Sequence, residues 1–308
     1  MPDRNEHPKI SIIMPTYNRA AYIVETIESV RNQTYQDWEL IIIDDQSNDN
    51  TETLVAQIKD ERVHFYKTTN RLGITGTRNV GIEKADKELI AFIDSDDLWA
   101  ITKLEKQVAA FQQYPEAGFS LTGGFNFRRA DPVSGIQYPG QPIDYFYKQN
   151  TGIRFDNLLI PYFKSEVSTT TSSLIFRKGC LQATGFFSET KIFAEVDLIL
   201  NLAMHFKGII LYEPLLYRRL HDSNISSTEW EKGYDEGIAL INAYKNILPP
   251  VISRNALFRL YINSGEDYLL HKERRKAISN FFTAWEKKPF SIIPLKKITK
   301  AILQYLKK

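Results

Sequence analysis

The sequence predicts an α/β protein built on a mostly parallel central sheet, and two features of its first third carry this prediction. Short apolar runs at residues 10–14, 40–43, 63–66 and 89–93 alternate with segments whose apolar residues recur at helical spacing. This alternation is typical of parallel strands joined by crossover helices. The runs at 40–43 and 89–93 each lead into acids, as buried strands do when they deliver carboxylates to one edge of a sheet.

The elements of the first 110 residues follow a regular order. The pattern predicts a strand at 10–14, a helix from 23 to about 33, a strand at 40–43, a helix around 54–58, a strand at 63–66, a helix at 77–84 and a strand at 89–93. The turn formers of residues 15–19, PTYNR, are expected to break the first strand. Right-handed crossovers would place the helices on the faces of the sheet and leave the strand tips open.

The pattern changes after residue 117. Shorter apolar runs at 118–125, 172–176 and 208–217 predict strands that extend the sheet in mixed directions and build an acceptor pocket. The segment 128–157, rich in proline and tyrosine, is predicted to be a loop. After Glu229 the spacing is helical, so the expected division is a sheet domain at 1–228, with halves at 1–110 and 111–228, and a helical region at 229–308.

Composition limits the class of protein. The chain has 308 residues, 43% of them hydrophobic, and a net charge of +2, so we expect a globular protein with no nucleic-acid partner. Cys180 is the only cysteine, which excludes an internal disulfide and indicates a quiet core residue. The N-terminus lacks an apolar leader and no run is long enough to span a bilayer, which predicts a cytoplasmic protein, soluble or peripheral.

The acids that follow two strands are the first functional signal. Asp44 and Asp45 follow one strand, and DSDD at residues 94–97 follows another. Carboxylates at one edge can share Mg²⁺ or Mn²⁺, whose remaining ligands are usually phosphates and water, so this edge predicts a phosphorylated substrate. The alternative is structural: the acids of 94–97 would cap a helix beginning near Leu98.

Four motifs together resemble the family 2 glycosyltransferases. They are SIIMPTYNR at 11–19, IDDQS at 43–47, NVGI at 79–82 and DSDD at 94–97. The resemblance covers roughly residues 9–225, and it implies that 1–110 is the nucleotide-binding half and 111–228 the acceptor-binding half. It implies the GT-A fold, with a Rossmann-like, mostly parallel sheet flanked by helices, and an inverting, metal-dependent transfer from a nucleotide-sugar to a saccharide or lipid-linked acceptor. The expected products are polysaccharide or glycolipid.

The resemblance also implies a role for particular residues. Asp45 would accept a hydrogen bond from the uracil NH, which is the sole reason to favour UDP-sugars. Asp96 would bind the ribose or bridge to the metal, Asp97 would bind the metal, and His221 would contact the diphosphate or complete the metal shell. The nucleotide site as a whole would comprise Pro15, Thr16, Tyr17, Asn18, Arg19, Asp45, Arg78, Asp94, Ser95 and Asp96.

The reaction also needs a base to deprotonate the acceptor hydroxyl. The segment 193–203, FAEVDLILNLA, resembles the family's acidic pair before a helix, which places Glu195 at the catalytic position. The family usually has an acid where this chain has Ala194. Asp197 is therefore the alternative base, and for either acid a structural role at a helix N-terminus is the competing interpretation. Arg71 is a second candidate for positive charge at this edge, with a solvated surface arginine as its alternative.

The C-terminal tail interleaves lysines with apolar residues. The lysines are Lys287, Lys288, Lys296, Lys297, Lys300, Lys307 and Lys308. A basic amphipathic helix of this kind can lie in an anionic membrane interface, here the inner face of the membrane. Packing against the catalytic domain or against a second subunit of a homodimer is the alternative.

Two other classes of protein are alternatives to the transferase. A sugar-phosphate nucleotidyltransferase would need a glycine-rich basic loop after the first strand, and residues 15–19 contain no glycine. A non-catalytic nucleotide- or sugar-binding protein of the same fold is compatible with Ala194. P-loop and dinucleotide-binding proteins are excluded, because neither GxxxxGK[ST] nor GxGxxG is present.

Overall fold

The computed structural model describes residues 8–128, 144–147, 150–188, 194–221 and 230–306. The chain forms two compact units. The first comprises Met1–Leu158 and Ser168–Asp222, and the second comprises Leu159–Val167 and Ser223–Lys308. The first unit contains the sheet and the second is helical.

The first half of the sheet unit is a parallel α/β arrangement. Its strands are β1 (Ile10–Thr16), β2 (Trp38–Asp44), β3 (Val63–Lys67) and β4 (Leu89–Phe92), in the spatial order β3-β2-β1-β4. The helices between them are α1 (Ile23–Arg31), α2 (Thr51–Ala56) and α3 (Gly73–Lys84). Every residue of β1 is buried, as expected for a strand covered on both faces.

The second half extends the sheet in mixed directions. It comprises β5 (Leu98–Trp99), α4 (Lys103–Gln113), β6 (Ala117–Phe127), β7 (Asp144–Tyr145), β8 (Ile153–Asp156), β9 (Ile175–Arg177), α6 (Leu181–Thr184), α7 (Ala194–His205) and β10 (Lys207–Arg219). From β4 the order continues β9-β6-β10-β5, and β9 is antiparallel to both of its neighbours. β7 pairs with β6, and β8 pairs with β10. The predicted mixed extension is confirmed.

The first strand runs further than the sequence indicated. It continues through Pro15, which lies opposite Ile43 of β2, instead of ending at Met14. Along a strand, the backbone N–H and C=O groups of successive residues point alternately to the two adjacent strands. Those of Thr16 point to β2, as shown by the hydrogen bond that its carbonyl accepts from the amide of Asp45. Pro15 therefore faces the β4 side, beyond the last β1–β4 pair at Ile13 and Phe92, and a proline is tolerated at such an end of the pairing.

The helix expected near Leu98 is absent there, so the interpretation of residues 94–97 as its cap is wrong. Leu98–Trp99 is a short strand antiparallel to β10, and α4 begins only at Lys103. The predicted loop of 128–157 contains the strands β7 and β8, while residues 129–143 and 148–149 lie outside the described residues.

Gly81 sets the distance between α3 and the sheet. A Cβ at this position would lie 2.3 Å from Cγ2 of Ile13 in β1, so only glycine allows this close approach. The helix is thereby held against the strand, which fixes the position of Arg78, one turn earlier.

The second unit is a set of helices with a small core. They are α5 (Leu159–Phe163), α8 (Trp230–Ala243), α9 (Pro250–Leu270), α10 (Arg274–Lys287) and α11 (Ile292–Leu306), which confirms the predicted helical appendage. Phe258 and Ile262 of α9 pack with Phe281 of α10 and Ile298 of α11. Across the described parts of the chain, every helix is too short or too polar to span a bilayer.

Candidate active site

The carboxyl ends of β1, β2 and β4 bring the predicted polar residues to one edge of the sheet. Thr16 at the end of β1 lies opposite Asp44 at the end of β2, and the acids of 94–97 directly follow Ile93. In open α/β sheets the ligand crevice lies outside this edge. The two acidic clusters therefore face the same region, as the sequence predicted.

The loop after β1 is fastened to the loop after β2. The amide of Asn18 donates to Ser47 Oγ at 2.8 Å, and Asn18 Oδ1 accepts from the amide of Asn48 at 2.9 Å. The amide of Arg19 donates to Thr51 Oγ1 at 3.0 Å. Asn18 itself has φ +49°, a left-handed conformation that asparagine tolerates better than most residues. These contacts give the segment around Tyr17 one fixed shape.

Asp45 lies at the start of α3. Its Oδ1 accepts from the amide of Leu72 at 2.7 Å and from Thr68 Oγ1 at 3.4 Å. Its Oδ2 accepts from the amide of Gly73 at 3.0 Å and from Arg71 Nε at 3.1 Å. A carboxylate offers about four acceptor positions, so these four donors fill Asp45. A nucleotide base could bind this carboxylate only by displacing one of them.

Arg71 is more than a solvated surface residue. Its guanidinium carbon lies 3.4 Å from the centroid of the Tyr17 ring, while its side chain remains 52% exposed. No local pattern in the sequence marks this stacking, because it depends on how the turn before α3 folds against the loop after β1.

Arg78 on α3 links two acids. Its Nη2 lies 2.7 Å from Asp94 Oδ1, and its Nη1 lies 3.6 Å from Glu195 Oε2 at the start of α7. Burial would lower the pKa of this guanidinium, but the charges of Asp94 and Glu195, with a smaller contribution from Asp97, raise it above its ordinary value. Glu195 therefore joins the acidic edge through Arg78, whereas Asp197 is half-buried two residues further along α7.

Asp97 is held from two directions. Ser172 Oγ donates to Oδ2 at 2.7 Å, and the amide of Arg219 donates to Oδ1 at 3.1 Å. Burial raises the pKa of this carboxyl well above its ordinary value, and the charges of Asp96 and Asp94 raise it further. Ser172 also accepts from the amide of Asp94, so this hydroxyl connects both ends of the DSDD motif. The sequence analysis missed Ser172, which lies in a short 3₁₀ helix just before β9.

Asp96 directly contacts two other predicted residues. Its Oδ2 lies 3.1 Å from Arg19 Nε and 3.0 Å from His221 Nε2. Burial opposes its charged form, yet the His221 hydrogen bond and the charge of Arg19 hold its pKa below the ordinary value. His221 in turn stacks on Tyr22, with ring centroids 5.0 Å apart. Ser95, next to Asp96, is buried.

A second missed residue is Asn79, the first residue of the NVGI motif. Its side chain donates to the carbonyl of Phe187 and accepts from the amide of Phe187, each at 3.0 Å. This pair of hydrogen bonds to one residue fixes the chain ahead of α7, the helix that carries Glu195. The sequence marked the motif but indicated no partner, since Phe187 is more than 100 residues away.

Comparison with known proteins identifies the family to which this arrangement belongs. A family model described as Glycosyl transferase family 2 matches residues 11–178, more than half of the chain. The chain belongs to glycosyltransferase family 2. It is therefore a glycosyltransferase, and the nucleotidyltransferase alternative is excluded.

Two family members with similar sequences are a long match and a short one. Over 232 residues it is 33% identical to the putative teichuronic acid biosynthesis glycosyltransferase TuaG of Bacillus subtilis, covering 74% of this chain and 85% of TuaG. Over 100 residues it is 43% identical to WfgD of Escherichia coli, named as a UDP-Glc:α-D-GlcNAc-diphosphoundecaprenol β-1,3-glucosyltransferase. That match covers 32% of this chain and 40% of WfgD.

Two solved structures share the GT-A fold of this family 2 member. TarS of S. aureus, residues 1–349 in complex with UDP-GlcNAc, aligns with a TM-score of 0.62 and 18% identity, covering 91% of this chain and 81% of TarS. The mannosyltransferase PcManGT of Pyrobaculum calidifontis, in complex with GDP-Man and Mn²⁺, aligns with a TM-score of 0.58 and 18% identity. That alignment covers 99% of this chain and 83% of PcManGT. At 18% identity these alignments bear on the fold alone, and they confirm the predicted GT-A fold.

The residues at the edge fit a divalent ion that arrives with a phosphorylated ligand. Within the described residues, no three His, Cys, Asp or Glu side chains are already arranged around a metal position. Mg²⁺ in phosphate-transfer sites is commonly held by one or two carboxylates and completed by phosphate oxygens and water. Asp96 and Asp97 supply such hard oxygen ligands, and the imidazole of His221 lies against Asp96.

Two buried polar atoms at the same edge have no hydrogen-bond partner within the described residues. They are Oγ1 of Thr16, at the end of β1, and Nε of Arg78. Buried polar groups are nearly always paired, so an unpaired one at a crevice indicates a place for a ligand atom.

Proposed function

We propose that this family 2 glycosyltransferase is a metal-dependent, inverting enzyme that moves a sugar from a UDP-sugar to a hydroxyl of a saccharide or lipid-linked acceptor. The observation that carries the proposal is the convergence of Asp94, Asp96, Asp97, Arg78 and Glu195 at the carboxyl edge of the sheet. The names of TuaG and WfgD support an acceptor from cell-surface polysaccharide or lipid-linked glycan synthesis. The TarS complex with UDP-GlcNAc supports UDP as the carrier.

The nucleotide would bind between the loop after β1 and the start of α3. Tyr17 offers a ring face for the base, and Asp45 offers a carboxylate for the uracil NH once the base displaces Arg71. Pro15, Thr16 and Asn18 would shape the loop around base and ribose. Displacement of Arg71 breaks an ion pair with the buried Asp45 carboxylate, but the Arg71 side chain is 52% exposed and would regain full hydration, so the cost is small.

Asp96 and Asp97 would hold the ion, Mg²⁺ or Mn²⁺, with His221 in the shell around it or against the diphosphate. The bound ion would stabilise the negative charge that develops on the leaving diphosphate. Although Asp96 is buried, His221 and Arg19 favour its ionised form, whereas burial and the charges of Asp96 and Asp94 disfavour the ionised form of Asp97, an effect that a bound cation would offset. The neighbouring Arg19 and Arg78 would keep this acid-rich edge compatible with a diphosphate. PcManGT, solved with Mn²⁺, supports the metal assignment.

Glu195 would act as the general base. Its carboxylate would accept the proton of the acceptor hydroxyl while the hydroxyl oxygen bonds to the anomeric carbon. The bond between that carbon and the diphosphate oxygen would break on the opposite face, which inverts the configuration. Arg78, 3.6 Å from Glu195, favours the ionised carboxylate that this step requires. Asp197 remains the alternative base.

Calorimetric titration of UDP, GDP and dTDP, each with and without MnCl₂, would test the donor and the metal. We expect UDP to bind with Mn²⁺ present, to lose most of its affinity in Asp96→Asn and Asp97→Asn, and to retain it in Glu195→Gln. Asp86→Asn is the matched control, because Asp86 is an exposed acid ahead of β4, at the opposite end of the sheet. Equal binding with and without Mn²⁺ would refute the metal, and preference for GDP or dTDP would refute uridine.

Turnover needs a separate assay. With UDP-sugars and a polyprenyl-diphosphate-linked sugar as acceptor, we expect Glu195→Gln to lower kcat by at least about 100-fold, the usual contribution of a general base. An equal loss in Asp197→Asn with an active Glu195→Gln would transfer the role to Asp197.

We also propose that the enzyme is cytoplasmic and works at the membrane surface, because a lipid-linked acceptor would be anchored in the bilayer. The predicted homodimer would be tested by light scattering.

A further inference from the structure

Positive charge is concentrated at the end of the chain. Residues 287–308 contain seven lysines and no acid. Because the whole chain carries a net charge of only +2, the residues before 287 carry −5. A run of this kind attracts an anionic surface while the rest of the molecule is repelled by it.

The same segment exposes apolar side chains. Phe290, in the turn between α10 and α11, is fully exposed, and Ile292 is 60% exposed. Ile293, Leu295 and Ile302 are exposed by 44–47%. Single exposed apolar residues are ordinary on protein surfaces, but a group of five within thirteen residues indicates an interaction surface.

The contacts of α11 show which side of it faces outward. Pro294, Ile298 and Ala301 recur at helical spacing and are buried. Leu295 and Ile302 lie seven residues apart, on one flank of that buried stripe. Lys296 and Lys300, which are also exposed, lie four residues apart on the outer face of the helix.

Packing within the helical unit holds the segment in place. Lys297 pairs with Glu266 of α9, and the ammonium of Lys288 lies 4.9 Å from the ring centroid of Phe258. Ile298 belongs to the small core that Phe258 and Phe281 share. The outward-facing apolar residues are therefore presented by a packed helix hairpin.

We propose that the α10–α11 turn and the outer face of α11 dock on an anionic lipid bilayer. Phe290, Ile292 and Leu295 would enter the boundary between headgroups and acyl chains, and Lys296 and Lys300 would remain at the phosphates. A protein partner would need an acidic rim around an apolar groove. A bilayer supplies both chemistries over any area, so charge complementarity favours it. The surface deepens the proposed function, since it would bring the enzyme to a lipid-linked acceptor, but it does not depend on the donor chemistry.

Vesicle flotation of the full chain would test the proposal. The probes are vesicles of phosphatidylcholine alone and with about 30% phosphatidylglycerol, at about 0.1 M and 0.5 M NaCl. We expect flotation with the anionic vesicles at low salt, at least tenfold weaker with the neutral vesicles, and weakened by high salt. Flotation with neither vesicle, or equal flotation with both, would overturn the proposal.

Two double variants localise the surface. Phe290→Ser with Leu295→Ser removes apolar area, and Lys296→Glu with Lys300→Glu reverses charge; each should reduce the floated fraction at least tenfold. The matched controls change exposed residues elsewhere: Leu270→Ser for the first, and Lys59→Glu with Lys245→Glu for the second. Unchanged flotation in both test variants would overturn the proposal.

Two further readouts distinguish membrane docking from self-association and from nucleotide binding. A dimer in light scattering that the same variants dissociate, without vesicle binding, would assign the surface to self-association instead. Mn²⁺-dependent UDP affinity should be equal in all variants, because none of these residues lies in the nucleotide site. A protein that floats but binds no nucleotide would refute the donor proposal alone.

Discussion

Arg71 lies over Tyr17, with its guanidinium carbon 3.4 Å from the centroid of the ring, and the same side chain pairs with Asp45 at 3.1 Å. One arginine thus covers the ring that would stack on the base and fills an acceptor position of the carboxylate that would bind the uracil NH. In this state Arg71 and the base compete for the same two groups.

We therefore expect Arg71→Ala to bind uridine about two- to fivefold more tightly. This is the size of effect that an ion pair worth about 0.2–1 kcal/mol allows, the value for a pair whose arginine is largely in solvent, as Arg71 is here. Calorimetry with uridine, which has no phosphates to contact other charges, would measure it. Arg62→Ala is the control, because Arg62 stacks on Trp38 at 3.8 Å in the same way but at the other end of β2. Weaker uridine binding in Arg71→Ala would show that the guanidinium assists the base.

The close approach of α3 to β1 gives a stability prediction. Gly81→Ala would place a Cβ 2.3 Å from Cγ2 of Ile13, which forces the helix or the strand to shift. We expect a loss of about 1–3 kcal/mol of unfolding free energy, as is typical of overpacked cores, measured by urea titration. Gly179→Ala is the matched control, since its Cβ would meet no atom within 4 Å. Equal stability of the two variants would contradict this account of the packing.

Asp60 gives a pH-dependent prediction away from the active site. It accepts from Arg62 Nη2 at 2.8 Å and from Arg31 Nε at 3.2 Å, and these contacts hold its pKa below the ordinary value. A lowered pKa means that the folded chain favours the ionised form. The stabilisation is therefore present above the unfolded-state pKa of about 4 and is lost as the pH falls toward the folded-state value.

Asp60→Asn should thus cost about 1 kcal/mol at pH 7, a figure that allows for the partial exposure of both arginines, and less at pH 3. Urea titrations at both values would measure the difference. Asp37→Asn, at an exposed position just before β2, is the control. A loss that does not change with pH would show that the amide disturbs the turn for steric reasons.

The sequence predicted the features that depend on neighbouring residues and missed those that depend on contacts between distant residues. The strands β1, β2 and β4 are continuous apolar runs, so their existence and order could be predicted from local pattern alone. The end of β1 could not, because the tolerance of Pro15 depends on where β4 stops. The short strand at Leu98 could not be predicted either, because its pairing partner, Tyr217, lies far along the chain.

The site shows the same limit. The acids of 94–97 were found because they follow a strand, and Glu195 because its segment resembles a family motif. Ser172 and Asn79 act through partners 75 and 108 residues away, and nothing local marks those pairs. The hydrogen bonds that Asp45 accepts from Arg71 and from two amides at the start of α3 could not be predicted either. They form only when the turn before α3 folds against the end of β2.

Arg78 allows the link between the acidic edge and the proposed base to be tested energetically. It is buried, with Asp94 at 2.7 Å and Glu195 at 3.6 Å. Removing one partner of a fully buried ion pair typically costs about 3–5 kcal/mol, but the side chains of Asp94 and Glu195 are 30% and 20% exposed. Arg78→Met should therefore show a smaller loss, about 1–3 kcal/mol, in urea titration, and Arg78→Lys, which keeps the charge, should lose less.

The double variant carries the test. If Glu195 and Arg78 interact across 3.6 Å, Arg78→Met combined with Glu195→Gln should be less destabilised than the sum of the two single variants by at least about 0.5 kcal/mol. The missing cation costs less once the nearby acid is neutral. A parallel cycle with Asp197→Asn gives the comparison, since Asp197 lies on the same helix, two residues further along. Additive effects in the Glu195 cycle together with coupling in the Asp197 cycle would show that Asp197, and not Glu195, interacts with Arg78. Asp197 would then become the proposed base.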